Sequence, residues 1–499
     1  MPANLTILQF FHWYTPNDGN WWKHVSETAP FIKSAGFTHV WLPPAYKSGW
    51  GASEPGYAVY DLFDLGEFDQ KGSVRTKHGT RDEYLKAIRD LQEQEIDVLA
   101  DIVLNHKHGA DEQERITARE VNPDNRSEHA DHTIEIDAYT KFNFPGRKGQ
   151  YSDFIWDQHC FTGVSDRFED RERIFLIEHG HQEGWDVMMD DEMGNFDYLM
   201  GADIDYRNPH VREELKRWGK WYVETTGING FRLDAVKHIN YRFFLEWLPY
   251  LKHEFQRDFF CIAEYWSANT ESLLNWIDAM EGHAHLFDVP LHFNFYEASI
   301  AGEDFDMRTI FDNTLLQRNP QRAITFVDNH DSQPFQSLES FVEYWFKPLA
   351  NALILLREQG IPCVFYPSMF GAAYTEKNGE EEVQVELNEV PWIRVMIKVR
   401  AQLAYGIQHD YFDHGSTIGW VRWGVDEITH SGCAVVLTNG GEGFKSMHMG
   451  DHHANAVFVD VTGNIPEEIT TNDEGWADFR VNERSVSVWV RKEAAEQLN

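Results

Sequence analysis

The sequence predicts an α/β protein built on a (β/α)8 TIM barrel, with an inserted irregular β-rich domain after strand 3 and a C-terminal all-β sandwich domain. Three observations predict it. Eight apolar runs of strand length recur with helical stretches between them, one interval between runs is far longer than the others, and beyond about residue 396 the pattern changes to short alternating segments.

In order, the runs cover residues 7–13, 38–43, 97–104, 230–236, 259–265, 286–291, 323–328 and 363–366. Segments 81–94 and 209–225 carry apolar residues at helical spacing, as the crossover helices of parallel strands do. The long interval, residues 105–208, is rich in Asp, Asn, Gly and aromatics. Structureless loops of that length are rare, so it is expected to fold as a domain of its own. Segments 417–423, 433–438, 456–460 and 485–490 alternate with Gly and Asn between them and predict the C-terminal sandwich. The expected domains are therefore 1–104 and 209–395 for the barrel, 105–208 for the insert and 396–499 for the sandwich.

Asp and Glu number 81 against 44 Lys and Arg, a formal charge of -37. A field of that sign repels phosphate backbones and anionic lipid, which argues against nucleic-acid and membrane partners. No window approaches the length of a membrane span. The apolar stretch 5–11 lacks a basic flank and a small-residue cleavage site, so it reads as a first strand of a cytoplasmic enzyme, although a secreted mature form reads the same way. The four cysteines are widely spaced and indicate neither a disulfide framework nor a zinc site.

Chemistry is suggested where apolar runs end in acids. Phe231-Arg232-Leu233-Asp234, Ile262-Ala263-Glu264-Tyr265-Trp266 and Phe326-Val327-Asp328-Asn329-His330-Asp331 each do so, and barrel enzymes gather their active groups at strand carboxyl ends. Arg232 and Asp234 are two apart, hence on one face, and the guanidinium keeps the acid ionised as a nucleophile requires. Taken alone, the pair reads first as a structural ion pair, since buried pairs are common in barrels. Glu264 follows an apolar run and precedes two aromatics, surroundings expected to favour the protonated form of a general acid. Asp331 with His330, and His106 after Asp101-Ile102-Val103-Leu104-Asn105, offer acceptors and donors for sugar hydroxyls.

Segments 101–106, 230–238, 263–266 and 326–331 resemble the four sequence signatures of glycoside hydrolase family thirteen, the α-amylase family. Segments 41–45, 60–68, 194–200 and 345–350 are similar to bacterial liquefying α-amylases and their cytoplasmic relatives. The resemblance implies that Asp234 is the nucleophile, Glu264 the general acid/base and Asp331 the third acid. It implies that Arg232 orients Asp234, that Tyr57 forms an aromatic platform, and that His106 and His330 bind the same sugar. Lys237, His238 and Trp266 would contact the leaving-side glucose units. Retention would then place the two principal carboxyls about 5 to 5.5 Å apart.

The same resemblance implies one Ca2+ at the barrel and insert junction, held by Asn105, Asp197, Asp203 and the His238 carbonyl, with waters completing the shell. Two positions that are acidic in the liquefying relatives are Thr162 and Arg207 here. Arg207 is expected to satisfy Asp186 and Asp205 in place of further metals. The activity implied is endo-hydrolysis of internal α-1,4-glucosidic bonds in starch, glycogen or maltodextrin by a retaining double displacement, in a monomer. A glucan-active transferase or fixed-product enzyme, a catalytically silent glucan-binding protein and a metal-dependent hydrolase are the competing readings.

Overall fold

A computed structural model describes residues 4–167, 170–179 and 184–498. Eight strands form the barrel: β1 (Ile7–Gln9), β2 (His39–Leu42), β3 (Asp97–Ile102), β4 (Gly230–Leu233), β5 (Phe260–Ala263), β6 (His285–Phe287), β7 (Ala323–Phe326) and β8 (Ile361–Phe365). They close in the order β1-β8-β7-β6-β5-β4-β3-β2, each beside its neighbour in sequence. Every expected apolar run contributes one strand.

The expected run 286–291 is cut short for a local reason. Asp288 accepts the Leu291 N–H at 3.1 Å and Pro290 occupies the first helical turn, so strand β6 gives way to the helix Val289–Ala301. Caps also fix the two crossover helices named above. Thr80 and Glu83 form a capping box at Arg81–Glu93, while Asn208 caps Pro209–Thr226, which ends at Gly227 with φ 68°.

The described chain divides into two compact units, Thr15–Ala29 with Trp41–Leu286, and Met1–Tyr14 with Pro30–Val40 and Phe287–Asn499. The first holds β3, β4, β5 and a seven-stranded sheet within residues 106–204. That sheet is more regular than its loop-like composition suggests, because Glu112–Asn122 pairs antiparallel with Ile134–Lys141 over seven residue pairs. Its ends are joined to each other: Ala202 pairs with Lys107 and Asp203 with His106.

The second unit holds β7, β8 and the C-terminal strands. Six of these form one antiparallel sheet, and Gly443–His448 pairs with Trp476–Val481 as a second. Met447 and Phe479 from the hairpin pack with Val436, Phe458 and Trp489 of the larger sheet, the shared core that a sandwich requires.

Candidate active site

Register places the central charges. Strands β3 and β4 pair in parallel with Arg232 opposite Asp101, so both side chains face the barrel interior. Arg232 is fully buried, and its Nη1 donates to Asp101 Oδ1 at 2.9 Å and to Asp234 Oδ1. Its Nη2 lies 3.7 Å from Glu264 Oε2, and the guanidinium stands 4.9 Å from the Trp41 ring centroid. One cation therefore faces three carboxylates, and their combined charge holds it firmly protonated against burial.

Asp234 and Glu264 stand one residue beyond β4 and β5. The ladder continues through them: the Asp234 N–H donates to the Ile102 carbonyl and the Glu264 N–H to Leu233, each at 2.9 Å. Ala235 then adopts a left-handed conformation with φ 49°. That turn aims two successive amides at one residue. The Ala235 N–H donates to Glu264 Oε2 at 2.7 Å and the Val236 N–H to the Glu264 carbonyl at 3.0 Å. The surroundings of Glu264 are thus more polar than its flanking sequence suggests, because the groups that reach it come from β4.

Asp101 is a residue whose role the sequence reading missed. It accepts from Trp41 Nε1 at 3.0 Å and from the Tyr57 hydroxyl at 2.7 Å, besides Arg232. Burial pushes its pKa up to about 6, opposed by Arg232 and assisted by Asp234. An acid inside the apolar run of β3 was the available signal, since a buried charge needs a partner. Tyr57, in turn, is tied by its carbonyl to His106 Nε2 at 2.9 Å, and His106 Nδ1 meets Asn105 Oδ1 at 3.1 Å. Both atoms facing the His106 ring are acceptors and a neutral imidazole donates from one nitrogen only, so the ring bonds either the Tyr57 carbonyl or Asn105.

Lys237 and His238 follow on the turn after Ala235. The Lys237 ammonium pairs with Glu192 and donates to the Trp266 carbonyl at 3.4 Å, while Tyr265 donates to Asp190 at 3.1 Å. Asp190 and Glu192 of the insert thereby meet the loops after β4 and β5, contacts across about 45 and 75 residues that local patterns do not show. Burial pushes the His238 pKa down to about 3, and its Nδ1 lies 2.7 Å from the Phe196 carbonyl.

Beside it, Asn105 Nδ2 lies 3.2 Å from Asp203 Oδ1 and 3.0 Å from the His238 carbonyl. Burial, aided by the Asp186 carboxylate, pushes Asp197 up to about 7. Burial and then Asp197 push Asp203 well above the carboxylate range. Two buried acids that repel one another beside a carbonyl supply oxygens suited to a hard cation, and the Asn105 amide, which turns its nitrogen to them here, would supply Oδ1 once rotated. Thr162 donates its hydroxyl to Asp203. Arg207 differs from expectation: its Nε and Nη2 both serve Asp205, at 2.8 and 3.1 Å, and Asp186 instead accepts from Asn240 at 3.0 Å. Its Nη1 donates to the Gly184 and Trp185 carbonyls at 2.9 and 3.3 Å, so the guanidinium joins Asp205 to the backbone beside Asp186.

In the other unit, His330 and Asp331 follow β7. Asn329 Oδ1 accepts the N–H groups of Asp331 and Ser332 at 2.9 and 2.8 Å, an Asx turn that sets the Asp331 backbone. Gln9 Nε2 lies 3.1 Å from His330 Nδ1, which assigns the ring proton to Nε2, 3.4 Å from Asp331 Oδ2. Trp13 stacks on the imidazole at 6.2 Å.

Residues 15–390 match the family model of the α-amylase catalytic domain, and residues 434–490 match that of the α-amylase C-terminal domain. The cytoplasmic alpha-amylase of Escherichia coli (strain K12) is 47% identical over 494 residues, covering 98% of this chain and 99% of that one. An alpha-amylase of Geobacillus stearothermophilus is 48% identical, covering 98% and 87%. A glucan 1,4-alpha-maltohexaosidase of Bacillus sp. (strain 707) is 45% identical, covering 98% and 93%. Among solved structures, the alpha-amylase of Geobacillus thermoleovorans complexed with acarbose matches with TM-score 0.65 at 17% identity over 98% of both chains, a likeness of fold. With the catalytic model covering three quarters of its length and near-half identity along almost all of it, the chain belongs to the α-amylase family, glycoside hydrolase family thirteen.

Proposed function

We propose that the protein hydrolyses internal α-1,4-glucosidic bonds of starch, glycogen or maltodextrin by a retaining double displacement, acting as a monomer in the cytoplasm. The observation that carries this reading is one guanidinium, Arg232, reaching both Asp234 and Glu264 at adjacent strand ends. Arg232 occupies Asp234 Oδ1, so Oδ2 is the oxygen that attacks the anomeric carbon. The Ala235 N–H occupies Glu264 Oε2, so Oε1 carries the proton to the departing glycosidic oxygen. In the second half, the Glu264 carboxylate takes a proton from water as that water displaces Asp234 from the sugar. Asp331 holds and distorts the sugar being cleaved, His106 and His330 bind its hydroxyls, Tyr57 is its platform, and Lys237, His238 and Trp266 contact the leaving side.

Asn105, Asp197, Asp203 and the His238 carbonyl would hold one Ca2+, which supplies charge compensation for the buried acids. The barrel is assigned to residues 1–104 and 209–395, the insert to 105–208 and the sandwich to 396–499. Proton NMR of fresh reaction mixtures with soluble α-1,4-glucan tests the reading before mutarotation sets in. Long fragments with α-configured ends are expected early. β-Configured ends would overturn the double displacement, and binding without new ends would leave a glucan-binding protein. Early accumulation of a single short product would favour the fixed-product alternative, which similarity to a maltohexaosidase keeps specific.

A further inference from the structure

Arg126 lies in the short strand Asn125–His129 of the inserted sheet and is 7% exposed. Its guanidinium stands over the rings of Phe196 and Tyr198, with centroids 4.5 and 5.6 Å away. Ring faces attract a cation, but they do not accept the N–H groups lying in the guanidinium plane. Nε and Nη1 are buried and donate to no atom of the described residues. Among the described residues no carboxylate pairs with this arginine; Asp203, Asp197 and Glu192 act on it only through space. A buried charge with unmade hydrogen bonds is costly and is ordinarily matched by a counter-charge.

Room for one exists. Arg126, Ser165, Ile174, Phe196, Tyr198 and Met200 line a cavity of about 150 Å3. That volume accepts a small ion with several waters and is below the size of sites that enclose a sugar or a nucleotide. Its walls are otherwise apolar apart from the Ser165 and Tyr198 hydroxyls, so the guanidinium sets the sign of the guest.

We propose that this cavity binds a small monovalent inorganic anion through Arg126 Nε and Nη1.

The test uses the full-length, calcium-loaded protein and bromide as the probe. Thermal unfolding is followed while sodium bromide replaces a bulky sulfonate salt at constant ionic strength. A saturating rise of roughly 1–2 °C at ten times Kd is expected, lost in Arg126→Met and retained at weaker affinity in Arg126→Lys. A non-saturating response shared by the wild type and Arg126→Met would overturn the site. Should Arg126→Met fail to fold, anomalous diffraction from bromide-soaked wild-type crystals decides. A peak within hydrogen-bond reach of Arg126 supports the proposal, and bromide at other surface positions alone, an adventitious ion only, rejects it.

Discussion

The backbone N–H of Ala235 donates to Oε2 of Glu264 at 2.7 Å, so the residue after Asp234 orients the Glu264 carboxyl. The bond exists because Ala235 takes φ 49°, a conformation that β-branched residues strongly resist. Ala235→Val is therefore expected to swing the amide away and lower kcat at least tenfold, about 1.4 kcal/mol of barrier. Ala235→Gly should stay near the wild-type rate. Steady-state hydrolysis of a maltooligosaccharide checks both, and an unimpaired valine variant would show that the amide does not position Glu264.

Asp234→Asn removes the oxygen proposed to attack but keeps a neutral partner for Arg232. Turnover should fall by about 10^4-fold or more while glucan binding stays within a few-fold of wild type. Calorimetric titration with maltoheptaose separates the two. Substantial residual turnover would take the nucleophile role from Asp234.

Calcium removal should act on stability first. Asp197 and Asp203 repel each other in a buried site, and a cation there relieves both. Excess calcium at about 100 times Kd should stabilise the fold by about 2.7 kcal/mol relative to chelated protein. Asp203→Asn should lose most of that response in calcium-dependent melting. A melting temperature indifferent to calcium would count against the site.

Buried neutral histidines predict acid sensitivity. Burial pushes His78 down to about 3 and His453 to about 4, so the unfolded chain binds protons that the folded one refuses once pH falls below about 6.5. Their stabilisation is complete above that value and is lost as pH falls towards 3 to 4. For His78 the loss reaches about 2 kcal/mol by pH 5. Urea unfolding at pH 7.5 and 5 should show a smaller difference in His78→Gln than in wild type.

The barrel was legible because each strand announces itself as an apolar run and most ends carry a polar punctuation. Only the run at 286–291 misled, where Asp288 and Pro290 turn apolar residues into a helix. Asp234 and Glu264 were visible as acids at strand ends. Asp101 was less visible, since its meaning depends on the register that sets it against Arg232. Glu192 and Asp190 were out of reach, because they join the site from a distant segment through single side-chain contacts. The polarity around Glu264 was misjudged for the same reason: its amide partner belongs to another strand.

The inserted sheet leaves the barrel at His106 and returns at Asp203, and these two residues face each other across an antiparallel pair. An excursion of nearly a hundred residues thus presents the scaffold with a gap no wider than a hairpin. Loop-closure entropy grows only slowly with length, so the barrel is almost indifferent to how much chain lies beyond that clasp. The insert can consequently change in length between those ends, provided the segment 186–197, which meets Asn240, Tyr265, Lys237 and His238, keeps its place. His106–Lys107 and Ala202–Ile204 must be retained as well, because Asp203, proposed as a cation ligand, and the histidine beside the Tyr57 carbonyl are part of the clasp itself.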